Sequence, residues 1–254
     1  MKGLSKGLCQ NCGLEFSGNY CSACGQRSIG NQRLNFKNLV KDFFDNVFNL
    51  HSGFFFTFWR LIVAPGQVGR DYVRGRRKSY THPVRYLIIA IAVQALVDYW
   101  FLHPELNEQP DFFFFPFLSA DMNQNMAIWN HVIATKYPLI HNTSMILIFP
   151  LVFIWLFKPL QYNFTELLTV NFYYFGTGLI ITLSGILFFT LFGPGLPVPL
   201  IILLTMSYVV WSSMRFFSSV STLRRIVNIL LAIVFFMVFR VFLLVYIVSL
   251  FFPR

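Results

Sequence analysis

The sequence predicts an all-α integral membrane protein: about five transmembrane helices, preceded by amphipathic interfacial helices and a miniature four-cysteine module. Three observations lead there. The chain is 56% hydrophobic and only 12% charged, whereas a soluble domain carries about a quarter charged residues. Its apolar residues gather into five long segments after residue 83. All four cysteines fall within residues 9–24, ahead of those segments, which excludes a disulfide framework for the whole chain. The chain divides into a head at 1–30, interfacial helices with a basic collar at 31–83, and a membrane domain at 84–254.

Cys9-x2-Cys12 and Cys21-x2-Cys24 are separated by eight residues, and each second cysteine is followed by a glycine, Gly13 or Gly25. Two thiolates at this spacing can grip one metal ion if the backbone turns tightly, and glycine permits the turn. Four thiolates close a tetrahedral site with no open position for water. The expected ion is therefore a structural Zn2+ held by Cys9, Cys12, Cys21 and Cys24. Two disulfides, or four redox cysteines, are the alternatives. The short gap makes the module a small zinc-ribbon-like one. With few large apolar residues besides Leu14, Phe16 and Tyr20, it should be unfolded without metal. Zinc thiolates need a reducing compartment, which places this end in the cytoplasm. Met1 leads into a polar stretch and not an apolar run, so no cleavable signal peptide is expected.

Beyond a polar linker, Phe36, Leu39, Val40, Phe43, Phe44, Val47 and Phe48 recur at helical spacing, with Lys37, Lys41, Asp42 and Asp45 on the other face. This predicts an amphipathic helix lying in the membrane interface; the alternative is a soluble helix packed on another domain. The apolar run from Phe54 to Val63 contains Arg60 and is too short to span, and Pro65-Gly66 ends it. It reads as interfacial or partly inserted. Arg70, Arg74, Arg76, Arg77, Lys78 and Arg85 then crowd ahead of the first long apolar segment. Such a cluster holds its flank in the cytoplasm, and it can also contact anionic lipid headgroups or a partner. Nucleic acid is the disfavoured partner, because the cluster abuts a span that holds it against headgroups.

The five segments run over about 84–102, 138–157, 167–192, 196–212 and 226–252. Charges support the count. The loop at 103–137 holds Glu105, Glu108, Asp111 and Asp121 against Lys136 and reads as external, whereas Lys158 and Arg215, Arg224 and Arg225 read as cytoplasmic. An N-terminus inside and a C-terminus outside satisfy the positive-inside rule at each loop. Arg240 lies near the middle of the fifth span, where a charge requires water or a partner. Asp98, Glu166, Asn171, Tyr173 and Tyr174 are its candidate partners. A bundle-locking contact, a substrate site and snorkelling to the interface are the three readings of Arg240. Gly176, Gly178, Ser184 and Gly185 would let helices approach closely. The histidines show no metal-ligand spacing, and no nucleophile elbow, phosphate loop or dinucleotide fingerprint is present, so nothing positive indicates an enzyme.

The pieces CQNCG and GNYCSACGQ, the aromatic amphipathic stretch, and then APGQVGRDYVRGRRKSYTHPVRYL resemble a bacterial family of uncharacterised membrane proteins, domain-of-unknown-function family 3667. The resemblance implies a zinc-ribbon-like head on a multi-pass domain in a bacterial inner membrane, and it implies no established activity. The leading functional expectation is a membrane-anchored adaptor or regulator, with the zinc module contacting a protein partner. The alternative is a transporter or lipid-handling protein that uses Arg240 and the basic collar for an anionic substrate.

Overall fold

The longest helix among the described residues organises the others. The structure is a computed structural model that describes residues 6–28, 33–46, 53–101, 119–136, 138–192 and 198–239. Its elements are the strands β1 (Lys6–Leu8) and β2 (Glu15–Ser17), followed by α1 (Phe36–Asn46), α2 (Gly53–Val63), α3 (Pro65–Val73), α4 (Pro83–Phe101), α5 (Ala120–Lys136), α6 (Pro138–Leu156), α7 (Phe164–Phe192), α8 (Val198–Phe216) and α9 (Thr222–Val238). A short 3-10 turn, Lys158–Leu160, joins α6 to α7. α7 packs against α4, α6 and α8, and the shorter α2 and α3 also reach it.

The start of α7 is fixed by its sequence. Asn163 Oδ1 accepts from the backbone N–H of Glu166 at 2.9 Å, and Glu166 Oε2 accepts from that of Asn163 at 3.0 Å. These reciprocal bonds form a capping box, which satisfies donors that the first turn leaves free. Arg33 binds both oxygens of the same carboxylate, Nε at 2.9 Å and Nη2 at 2.6 Å, so the linker after the head is tied to the root of α7. Glu166 is thus engaged by Arg33 and by its own helix. Of the other candidate partners, Asn171 donates to Ile146 O, Tyr173 to Thr81 O and Tyr174 to Ser212 O. Arg240 itself, with the rest of the fifth segment and most of the acidic loop (103–118), lies outside the described residues, as does the Asp98 side chain.

Gly176 does what small residues were expected to do: an added Cβ would sit 3.0 Å from the Tyr86 ring of α4. At the other end of the bundle, α3 lies directly on the C-terminus of α8. A Cβ on Gly66 would come within 2.6 Å of the Cβ and carbonyl oxygen of Arg215, and one on Gly69 within 3.0 Å of the Phe216 ring. α6 and α9 meet through the stacked rings of Phe149 and Phe236, 5.1 Å apart, and Asn228 caps α6 by donating to Leu156 O at 2.8 Å.

All five expected apolar segments are helical where described, but the count of about five membrane-spanning helices is corrected. Among the described residues one helix, Phe164–Phe188, is both long and apolar enough to cross a membrane; Pro83–Val97 and Ile146–Leu156 are apolar over shorter lengths. Much of the fifth segment lies outside the described residues, as do the side chains of residues 138–145 at the start of α6. Two helices were not expected. Pro65 does not merely end α2; it takes the first position of α3, where its missing N–H loses nothing. The stretch read as an external loop contains α5, with Ser119 Oγ accepting from Met122 N at its start.

Gly66→Ala is expected to destabilise the solubilised protein by about 1–3 kcal/mol, the range for overpacking a filled site, seen as a lower thermal midpoint. Gly7→Ala, where an added Cβ meets open space, should leave the midpoint unchanged. Equal midpoints for both variants would mean that α3 does not rest on α8.

Candidate metal centre and its basic collar

The head is built from two copies of one turn. Leu8-Cys9-x2-Cys12-Gly13-Leu14 and Tyr20-Cys21-x2-Cys24-Gly25-Gln26 share a pattern, and the backbone repeats it. Cys9 N donates to Leu14 O at 2.9 Å and Gly13 N to Cys9 O at 2.9 Å; Cys21 N donates to Gln26 O at 2.8 Å and Gly25 N to Cys21 O at 2.8 Å. Gly13 and Gly25 take φ of +79° and +68°, a left-handed conformation that explains why glycine follows each second cysteine. Antiparallel pairing of β1 with β2, Leu8 opposite Glu15, closes the first turn, and the Tyr20–Arg27 bridge closes the second. The doubled Cys-x2-Cys-Gly pattern was legible in the sequence; that both copies share one backbone turn is shown by the structure.

The turns face each other and bring the sulfurs together. Cys9 Sγ lies 3.6 Å from Cys24 Sγ and Cys12 Sγ 3.6 Å from Cys21 Sγ, and the four ligand atoms all lie within 4.8 Å of one another. All four cysteines are free thiols, so the disulfide alternative does not describe this structure. Such a cluster can hold one metal ion. Burial works against a Cys9 thiolate, yet the N–H groups of Cys12 and Asn11 bring its pKa down to about 6. At Cys12 the backbone of Leu14 favours the thiolate, but burial and the Cys21, Cys9 and Cys24 sulfurs outweigh it and push the pKa up to about 12. Four sulfurs this close cannot all carry charge unless a cation sits between them.

Gln26 anchors the head to the collar. Its buried side chain donates from Nε2 to Gly75 O at 2.8 Å, while Oε1 accepts from Arg77 N at 3.2 Å and Lys78 N at 3.1 Å. Ser79 Oγ donates to Asn11 Oδ1 at 2.8 Å, so the first turn also touches the collar. Asp42 of α1 lies between Arg27 of the head, 3.5 Å away, and Arg77 of the collar, 3.6 Å away. The sequence reading missed Gln26, Asn11 and Asp42 as contact residues, because a neutral amide or one carboxylate on an amphipathic helix carries no signature of its partner.

The collar residues divide by environment. Arg70 donates from Nη1 to the carbonyls of Arg215 and, at 3.2 Å, Phe216, so it caps the C-terminus of α8. Arg225 donates to Met214 O at 2.8 Å, a second cap on the same helix end. Arg77 is largely buried, 5.7 Å above the Tyr72 ring. Arg76 pairs with Asp71 at 3.7 Å. Arg74 and Lys78 are exposed, and Arg85 is half-buried beside His82. His82 is a site residue that sequence spacing did not single out. It is buried between the rings of Phe43, 5.9 Å away, and Tyr72, 6.4 Å away, and neither of its ring nitrogens has a hydrogen-bond partner of good geometry.

Two outcomes follow from this geometry. Gln26→Ala leaves one buried acceptor and two buried donors of the collar without partners, at about 1–3 kcal/mol for each group that water cannot reach. The variant should keep its metal stoichiometry while cleavage by protease within 70–80 becomes faster; an unchanged cleavage rate would remove Gln26 from the anchor. For His82, burial above all, with the neighbouring Arg77 and Arg85, lowers the pKa from 6.5 to about 4. The unfolded chain therefore binds the extra proton first, and stability present above pH 6.5 is lost as pH falls toward 4. In unfolding midpoints measured across that window, His82→Phe should have a shallower pH dependence than the parent protein.

Neither a curated protein nor a solved structure matches this chain. Residues 51–94 match a family model described as "Protein of unknown function (DUF3667)". That segment contains α2, α3, the collar and the first part of α4, the region against which the head is anchored. The match covers the APGQVGRDYVRGRRKSYTHPVRYL piece of the resemblance, not the cysteine pieces, and supports the chain's membership of this uncharacterised family.

Proposed function

We propose that the protein is a membrane-anchored adaptor: a helical bundle that crosses a bacterial inner membrane several times and carries a zinc-bound head on its cytoplasmic side. The observation that carries this reading is the Gln26 anchor, which makes head and collar a single rigid surface and not a module on a tether. The choice of zinc rests on the donors. Four thiolates suit a closed tetrahedral site, whose zinc–sulfur bonds of about 2.3 Å separate neighbouring sulfurs by about 3.8 Å, and the paired sulfurs here lie 3.6 Å apart. Cys9, Cys12, Cys21 and Cys24 would hold the ion, which supplies structure and not reactivity. The head has little else to fold around. Leu8, Leu14 and Tyr20 are exposed, and modules this small need a metal or a disulfide.

Support for several membrane passes comes from the outward faces of the helices. Trp155 of α6 is 76% exposed and Phe192 of α7 is 77% exposed, and α8 and α9 likewise present Leu203, Leu204, Leu230, Val234 and Phe235. Apolar surface on this scale around a bundle requires lipid or a partner. The lack of charge in α7 after Glu166 and the cations at the α3–α8 end fit a cytoplasmic placement of that end.

Native mass spectrometry of the protein released from its own membranes tests the reading. One zinc per chain and a stoichiometric protein partner are expected, and both should be lost when Cys9 and Cys12 are replaced by Ser. Full zinc content in that variant would end the four-cysteine assignment. Zinc loss without any change in bound protein would end the adaptor role of the head.

A further inference from the structure

Helix α2 is apolar on both sides. Thr57 and Leu61 are buried against the bundle, while Phe55, Trp59 and Val63, spaced four residues apart, form an outward stripe in which Phe55 is 79% and Trp59 is 64% exposed. A helix that is hydrophobic all round lies in a protein core or in lipid, and among the described residues none buries the outer stripe of α2. Its position in the bundle is fixed at both ends. Thr81 N, just ahead of α4, donates to Thr57 Oγ1 at 2.9 Å, and Tyr208 OH donates to Leu61 O at 3.2 Å. Tyr208 lies eight residues before Phe216, the end of α8, a distance of about 12 Å along the axis at 1.5 Å per residue. The chain then returns, because Gly66 at the start of α3 contacts the backbone of Arg215. α2 therefore enters and leaves on one side of the bundle.

The stripe is continuous with the collar. Phe56 stacks on Tyr80 with ring centroids 6.0 Å apart, Tyr80 OH donates to Asp71 at 2.9 Å, and Arg60 Nη2 donates to Gln67 Oε1 at 2.8 Å. Along this rim Arg74, Lys78 and Arg215 are exposed, and Asp71 is already held by Arg76 and Tyr80. An apolar stripe with a cationic rim complements one surface: acyl chains beneath anionic phosphodiester headgroups.

We propose that α2 is a half-membrane wedge seated in the cytoplasmic leaflet, with Phe55, Trp59 and Val63 among acyl chains and Arg74 and Lys78 on the headgroups of anionic phospholipid. Its 11 residues extend about 16 Å, half of a hydrocarbon core about 30 Å thick. The inference rests on the membrane placement proposed above, and Trp155 distinguishes the two.

The test reconstitutes the full chain in vesicles of phosphatidylcholine and phosphatidylglycerol with brominated acyl chains, and compares quenching of the parent protein with Trp59→Phe and Trp155→Phe. Part of the bromolipid quenching is expected to disappear in Trp59→Phe, most strongly with bromine at shallow acyl positions. Loss of quenching in Trp155→Phe but not in Trp59→Phe would place α2 against water or another protein and overturn the wedge. No contribution from either tryptophan would overturn the membrane placement itself. In the same vesicles the parent protein should retain phosphatidylglycerol over phosphatidylcholine severalfold on gentle release, and the double variant Arg74→Gln, Lys78→Gln should retain the two equally. An unchanged preference in that variant, or none in the parent, would overturn the headgroup assignment.

Discussion

The side chain of Gln26 makes three of the hydrogen bonds that hold the head against the collar. On one side is a head whose fold depends on four sulfurs; on the other is a collar whose backbone presents one carbonyl and two N–H groups toward the same amide. A primary amide suits this geometry because it donates and accepts at once. A carboxylate at this position would meet the Gly75 carbonyl without a proton, and an aliphatic side chain would leave three buried backbone groups without partners. The state of the four-cysteine cluster therefore bears on the collar: if the head loses its fold, Gln26 loses its position.

A second constraint is the end of α8. The last carbonyls of a helix have no partners within it, and here Arg70 and Arg225 approach them from different elements. Charge-assisted hydrogen bonds of this kind contribute about 1.5–3 kcal/mol, against about 0–1 kcal/mol for an exposed ion pair such as Arg76–Asp71. Not all of the collar's charge serves the surface. Arg70 and Arg77 stabilise the inside of the collar, and Arg74 and Lys78 stay exposed. Gly66 and Gly69 have the same target as Arg70, so the run APGQVGR forms one device for seating α3 on α8.

The elements legible in the sequence were those with a local cause. Cysteine spacing and the glycines after each pair define the four-cysteine cluster, because a tight turn of this kind needs a positive φ. Helical periodicity located α1, and apolar runs located α4, α6, α7, α8 and α9, since each can be read within a single segment. The number of membrane crossings was less legible: among the described residues one helix, Phe164–Phe188, is long and apolar enough to cross a membrane. α3 was hidden because its Pro65 reads as a stop, although the same proline suits a helix start.

By itself the sequence determined the four-sulfur cluster, the helical class and the presence of a cationic segment ahead of α4, all consequences of residue type at short range. Tertiary structure alone decided which cations stay exposed, that Glu166 belongs to Arg33, that His82 is buried between Phe43 and Tyr72, and that Gln26 reaches the Gly75 carbonyl. Those outcomes depend on groups far apart in the chain. A charge or amide has the same chemistry wherever it stands, and only the fold supplies the partner that fixes its role.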